Sequence, residues 1–249
     1  MRMTERGERY VVYDDFLPSE IFDQAVELME RSALSETGSV ISAELDGPAH
    51  RTRGMHFPAS IGETASGRPA VFTRVTQAVR AETGVFGTAG HDWDRLTFTF
   101  WQYPANSRLG WHNDAGRGRC GEYIVYLHRE WDISWGGELM LLDREPRTLL
   151  SAADSGPQRG ETATSESAGL VNRILRTCEV SPVAVLPRPN RLVMVQSDTL
   201  HTIRRVDQTA GENRRCSLTG FAYLNQKFQP ESARSRDVAR NSILNSVIA

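Results

Sequence analysis

His112 and Asp114 stand one residue apart in the triplet His112-Asn113-Asp114. An imidazole and a carboxylate at that spacing can take two adjacent positions on a small divalent cation. A triplet of this kind arises readily by chance in a chain with 6 His. Asp114 alone would fit a turn residue that bonds its own backbone, within Asn113-Asp114-Ala115-Gly116. Weight comes from a second stretch, RLVMVQSDTLHTIRRVDQTAGENRRCSLTGFAYL, running from Arg191 to Leu224. It puts His201 at the end of an apolar strand and opens a further strand on Arg215 and Ser217. Alone, His201 would fit a satisfied strand-end histidine. Together with His112 and Asp114 it makes two imidazoles and one carboxylate on one face of a metal ion, with the other positions open.

The elements around these residues read mainly as strands. His112-Asn113-Asp114 lies in a loop between Leu96–Tyr103 and Tyr123–His128, and Gly137–Leu142 follows as a third strand. Leu96–Tyr103 alternates, with Thr97, Thr99, Trp101 and Tyr103 opposite Leu96, Phe98 and Phe100. Strands return at Val183–Leu186, Arg191–Gln196 and Arg215–Leu224. On the last, Arg214 and Arg215 must face opposite sides, and Ser217 shares a side with Arg215. Before all of these come a short strand at Tyr10–Tyr13 and two amphipathic helices. The first follows Pro18, with Ile21, Phe22, Ala25, Val26, Leu28 and Met29 at helical spacing. The second runs from Pro69 through Thr83, on Val71, Phe72, Val75 and Val79, with Gly84 as its stop. Two helices followed by many short strands predict a mainly β fold, a sandwich or jelly roll buttressed by helices.

A chain of 249 residues fits one such domain, with a core over about 96–224. Arg144 to Ser181 interrupts that core with a polar insertion carrying one amphipathic piece, Leu170, Val171, Ile174 and Leu175. This segment is expected to act as a lid over the site. The net charge of −2 gives no general pull toward nucleic acid or an anionic membrane. No apolar run approaches the roughly 20 residues that span a bilayer, and the N-terminus has no secretory h-region. Cys120, Cys178 and Cys216 are scattered and odd in number, which suits a reducing cytoplasm better than a disulfide framework.

QYPANSRLGWHNDAGRGRCGEYIVYLHREWD, the later GGEL, PRPNRLVMVQSDTLHTIRRV and RRCSLTGFAYL together resemble the Fe(II)- and 2-oxoglutarate-dependent dioxygenases. Within them the prolyl-4-hydroxylase-like branch is the nearest match, over Thr97 to Leu224. The resemblance implies a double-stranded β-helix of the cupin-like, jelly-roll kind. It implies His112, Asp114 and His201 as iron ligands and catalytic centre. Arg215 would pair with the distal carboxylate of 2-oxoglutarate, with Ser217, Tyr126 and Tyr103 as hydrogen-bonding neighbours. O2 would be the second co-substrate and ascorbate a stimulant. Physical chemistry agrees with these roles. Imidazole and carboxylate suit Fe(II), and a guanidinium fork with a hydroxyl beside it suits a carboxylate.

The implied reaction releases succinate and CO2 and hydroxylates an unactivated C–H bond of a small molecule, amino acid or peptide natural product. Asp114 argues for hydroxylation over halogenation, since halogenating relatives lack that carboxylate. A prolyl residue in a protein is the alternative substrate. A non-redox, metal-binding cupin-like protein is the alternative of another class, although Arg215-x-Ser217 would then have no purpose. A non-catalytic binding module using the cavity is the third. Arg108 and Arg117 flank the triplet and could touch an anionic substrate. Trp101, Trp111, Trp131 and Trp135 crowd the expected mouth but also suit packing, as do Tyr103 and Tyr126. Oligomeric state is left open.

Overall fold

A computed structural model of the chain describes residues 1–39, 41–59, 68–114, 116, 118–144, 175–176 and 178–224. Strands β1 (Arg2–Arg6) and β2 (Tyr10–Asp14) precede helix α1 (Ser19–Glu30). Short elements follow: β3 (Ser35–Thr37), α2 (Ala43–Asp46), β4 (Ala49–Arg51) and β5 (Met55–Pro58). After α3 (Ala70–Ala81) and α4 (Thr83–Phe86) come β6 (Arg95–Tyr103), β7 (Leu109–His112), β8 (Arg119–Tyr126) and β9 (Leu139–Leu141). The remaining strands are β10 (Val183–Val185), β11 (Leu192–Gln196), β12 (His201–Ile203) and β13 (Arg215–Tyr223).

These strands pair antiparallel into two sheets. The larger runs β1-β2-β11-β8-β13-β6-β4-β3, with β5 also on β6, and the smaller runs β10-β9-β12-β7. The apolar runs of β8 and β11 follow from this arrangement, because both faces of the larger sheet are covered. Tyr123, Val125, Leu192 and Met194 turn to α1 and α3, meeting Val26, Met29, Phe72 and Val75. Their neighbours Ile124, Tyr126, Val193 and Val195 turn the other way, onto Leu139, Leu141 and Val185 of the smaller sheet. Each large aliphatic buried in this way contributes about 1.5–3 kcal/mol. Two facing sheets with helices outside make the expected jelly roll, a double-stranded β-helix.

Close packing and one buried ion pair lock the larger sheet. A Cβ on Gly220 would lie 1.7 Å from the Thr97 carbonyl oxygen, where the Tyr123 hydroxyl donates at 2.6 Å. Arg191, at the head of β11, grips Asp14 at the foot of β2 with both arms, Nε to Oδ1 at 2.6 Å and Nη2 to Oδ2 at 2.9 Å. Paired charges of this kind are tolerated in a core only with such full hydrogen bonding.

Three local readings change, and β1 is added. His112 is the last residue of β7, a strand too short to show as alternation, and Asp114 lies just beyond it. His201 opens β12 in the smaller sheet, because the chain leaves β11 and turns at Asp198, φ 66°, to cross between sheets. The second helix stops at Ala81 and Gly84 falls inside α4, while β1 is a polar, exposed strand without an apolar signature. Of the expected lid, Leu175 packs half-buried beside Leu142, Leu200 and Trp111. Residues 145–174 and 177, which make up most of it, lie outside the described residues.

No helix among the described residues is long and apolar enough to cross a membrane. Cys120, Cys178 and Cys216 form no disulfide.

Candidate active site

Antiparallel pairing of β12 with β7 sets His201 directly opposite His112, with ring centroids 4.2 Å apart. Each ring is held by its Nδ1–H. His112 donates to the Gly110 carbonyl and His201 to the Thr199 carbonyl, both at 2.8 Å. A carbonyl can only accept, so both Nε2 atoms are left to face inward. Asp114 meets them there, with Oδ2 3.5 Å from His112 Nε2 and 3.6 Å from His201 Nε2. Its other oxygen accepts from Arg119 Nη1 at 2.8 Å, and Arg119 lies over the Phe221 ring at 3.8 Å. The three inward atoms lie within 4.8 Å of one another, a group that could hold a metal ion. Outer hydrogen bonds of this kind fix tautomer and ring orientation at metal sites.

A second carboxylate stands here that the motif does not include. Glu122 of β8 is buried, and its Oε1 lies 3.2 Å from His201 Nε2. The electrostatics follow from this crowding. Burial alone would lower the His201 imidazole, but Glu122, Asp114 and the Thr199 carbonyl push it up to about 9. Burial would raise the Asp114 carboxyl, yet bonds to His112 and His201 hold it well below the usual carboxylate range. Burial raises the Glu122 carboxyl, and Asp114 beside it adds to the rise against the pull of the imidazoles. The signal in the sequence was a lone acid in the apolar run Glu122-Tyr-Ile-Val-Tyr126, on the same face as Ile124 and Tyr126.

The group opens on a cavity of about 410 Å³, within the range of small-molecule sites. Arg215 and Ser217 line it together with Tyr103, Ile124 and Thr219. Arg215 is 1% exposed. Its Nε donates to the Gly137 carbonyl at 2.7 Å and its Nη2 to Tyr126 Oη at 3.1 Å. Gly137 holds that carbonyl in place from a left-handed turn, φ +73°, where a Cβ would lie 3.0 Å from Arg215 Cδ. Among the described residues no carboxylate stands within ion-pair distance of Arg215, and buried Ser217 Oγ has no hydrogen-bond partner. Arg214 faces outward, donating to Gln102 Oε1 at 3.0 Å. Burial raises the phenols of Tyr103 and Tyr126, so both keep their protons. Tyr126 lies beneath Arg215 and is not part of the cavity lining, whereas Tyr103 is.

The rim is less charged than its arginines suggest. Arg108 lines it but donates to buried Asp46 at 3.1 Å. Trp101 lines the mouth with Arg51 over its ring at 5.4 Å. Trp131 and Trp135 pack near Ile203 and Val206, and Trp111 packs beside Leu142 and Leu200. Arg117 lies outside the described residues.

Beneath the Arg215 end, buried His128 donates from Nε2 to the Pro187 carbonyl at 2.6 Å, and its Nδ1 accepts from the Cys216 N–H. Burial, with the Arg215 charge adding to it, lowers this imidazole to about 4. An unfolded His titrates near 6.5, so between these values the unfolded chain binds the extra proton. Stability from neutral His128 is therefore complete above about pH 6.5 and is lost as pH falls toward 4, by about 3 kcal/mol at most. Urea unfolding at pH 7 and pH 4.5 should show this loss shrinking in His128→Gln. An unchanged pH dependence would show that His128 is not its source.

A family model described as the 2OG-Fe(II) oxygenase superfamily matches residues 98–223. By sequence, no curated protein matches the chain. Among solved structures the chain is similar to a Pseudomonas putida prolyl-4-hydroxylase, at 15% identity and a TM-score of 0.54, over 87% of this chain and 93% of that one. It is also similar to a Trichoplax adhaerens prolyl hydroxylase in complex with a hypoxia inducible factor peptide fragment. There the identity is 15% and the TM-score 0.53, over 90% and 88% of the two chains. HygX from Streptomyces hygroscopicus, with nickel and 2-oxoglutarate bound, gives 14% and 0.50, over 88% and 84%. At these identities the likeness is one of fold.

Proposed function

Because the chain belongs to the 2OG-Fe(II) oxygenase superfamily, we propose that it is a hydroxylase holding Fe(II) on His112, Asp114 and His201 and 2-oxoglutarate on Arg215. Its substrate is a small molecule, amino acid or peptide natural product, oxidised at an unactivated C–H bond with release of succinate and CO2. The observation that carries this reading is the buried Arg215 guanidinium, with no carboxylate partner among the described residues and with the orphaned Ser217 hydroxyl beside it. A buried charge left without its counter-ion is costly, so the pocket is built for an anion that arrives from outside.

The iron and 2-oxo acid, when bound, supply the oxygen-activating and decarboxylating chemistry. The chain's residues arrange everything else. The Gly110 and Thr199 carbonyls aim the two imidazoles, and Arg119 keeps Asp114 turned inward. Arg215 offers its fork to the distal carboxylate. Tyr126 accepts from Arg215 and keeps its own phenolic proton to donate. Ile124, Leu139 and Ile203 line the cavity with apolar surface and keep water from the co-substrate's chain. Trp101 and Arg51 at the mouth meet the substrate. A prolyl residue in a protein is the second reading, supported by fold likeness to a prolyl hydroxylase crystallised with a peptide fragment. A cytoplasmic setting is supported by three cysteines outside any disulfide.

Anaerobic addition of Fe(II) and 2-oxoglutarate should produce a weak visible charge-transfer band. Admission of air with a cell extract should yield succinate and a product one oxygen atom heavier, with ascorbate sustaining turnover. Metal binding with no band and no 2-oxoglutarate consumption would instead favour a non-redox, cupin-like protein.

A further inference from the structure

We infer that Arg51, held over Trp101 at the cavity mouth, binds a carboxylate of the substrate, which is then a small organic acid. This deepens the oxygenase reading and rests on it. Strand pairing puts Arg51 on the cavity side. It stands opposite Trp101 of β6, and Trp101 stands opposite Ser217 of β13. Residues directly opposite one another share a face of the sheet. One row therefore runs from the co-substrate pocket at Ser217, over Trp101, to Arg51 at the rim, about 10 Å at the usual strand spacing. The Arg51 guanidinium lies 5.4 Å from the Trp101 ring centroid, and Trp101 stacks on Tyr103 at 5.9 Å. A guanidinium laid on an aromatic face keeps its N–H edge free for a carboxylate.

The charges around the cavity leave Arg51 unanswered. Four arginines line it among the described residues. Arg108 donates to Asp46 at 3.1 Å and Arg119 to Asp114 at 2.8 Å. Arg215 is the proposed seat of the co-substrate's distal carboxylate. The remaining lining acid, Glu122, stands 3.2 Å from His201 Nε2. Arg51 has no hydrogen bond or ion pair with any described residue. Its neighbours explain why none forms. Beside it on β3, Ser35 and Thr37 share the cavity face, while Glu36 turns to the opposite face with His50. Gly38 and Ser39 continue the rim with small side chains. The mouth thus offers room, a fixed cation and no internal acid to occupy it. The cavity of about 410 Å³ must also hold the co-substrate, which leaves space for a small acid rather than for a length of polypeptide.

Calorimetric titration of anaerobic protein loaded with Co(II) and saturating 2-oxoglutarate tests this, with phenylacetate and the isosteric phenylacetamide as probes. Saturation keeps the acid from Arg215. Wild type should bind the acid about tenfold more tightly than the amide, the lower range for a hydrogen bond to a charged group. Arg51→Gln should lose that preference. Arg51→Lys should keep part of it, as a point charge without the fork, and Arg214→Gln should keep all of it. Equal binding of acid and amide in wild type, or no binding of either, would overturn the site. A preference that survives Arg51→Gln would overturn the assignment to Arg51. A blocked peptide with one central glutamate that binds more tightly than phenylacetate would overturn the small acid in favour of a peptide. Wild type that binds no 2-oxoglutarate yet still prefers the acid would instead overturn the oxygenase reading and leave Arg51 as a carboxylate site.

Discussion

His112→Ala gives a folded protein that no longer retains Fe(II) and does not turn over, and His201→Ala does the same. In each case one imidazole and the Asp114 carboxylate are left to hold the ion against water. The loss of affinity should exceed the 10–100-fold typical of an outer hydrogen-bond partner. His112→Ala is the cleaner variant, because His201 Nε2 is also within ion-pair distance of both Asp114 and buried Glu122, so its removal takes away an imidazole that both carboxylates share. Anaerobic dialysis followed by iron analysis measures retention, and a thermal melt of the metal-free proteins checks the fold. Full iron content and turnover in either variant would mean that the ion sits elsewhere.

Arg215→Leu raises the 2-oxoglutarate requirement steeply, while Arg214→Leu stays near wild type. Truncating one partner of a buried charge pair costs about 2–5 kcal/mol. At about 1.4 kcal/mol per decade, that is a rise in apparent Kd from about 30-fold to a few thousand-fold. Leu keeps much of the packing beside Tyr103 and Tyr126 but removes the fork. Among the described residues Arg214 bonds only Gln102, at the surface, and it does not line the cavity. Binding measured anaerobically on metal-loaded protein separates the two. A reversed pair of effects would mean that β13 faces the other way, a one-residue slip that would move Ser217 out of the pocket as well.

What could be read in advance divides along physical lines. Alternation is local, so the two faces of β6 and the opposition of Arg214 to Arg215 were legible from spacing alone. His112, Asp114 and His201 stood out because few residue types bind metals. Glu122 was visible as a lone acid in an apolar run, yet its meaning depends on β12 lying across from it, which no local pattern states. The same holds for Arg108, whose partner Asp46 is distant in sequence and leaves it less available at the rim. The division into two sheets was hidden for a different reason. The polar Gln196-Ser197-Asp198-Thr199 stretch marks a turn before His201, but a turn does not say which sheet the next strand joins.

The pairing of β2 with β11, clamped by Asp14 and Arg191, has a consequence for the order in which the molecule can assemble. A strand near residue 10 finds its lateral partner only after residue 192 has left the ribosome. Until then β1 and β2 have no central strand to join. Loop closure over such a span is paid before any contact rewards it, which makes folding slow and leaves strand edges bare meanwhile. The two histidines meet through the equally late β12, so on the proposed assignment metal capture comes after synthesis of nearly the whole barrel. Iron is then a seal on a finished protein rather than a nucleus around which the nascent chain gathers.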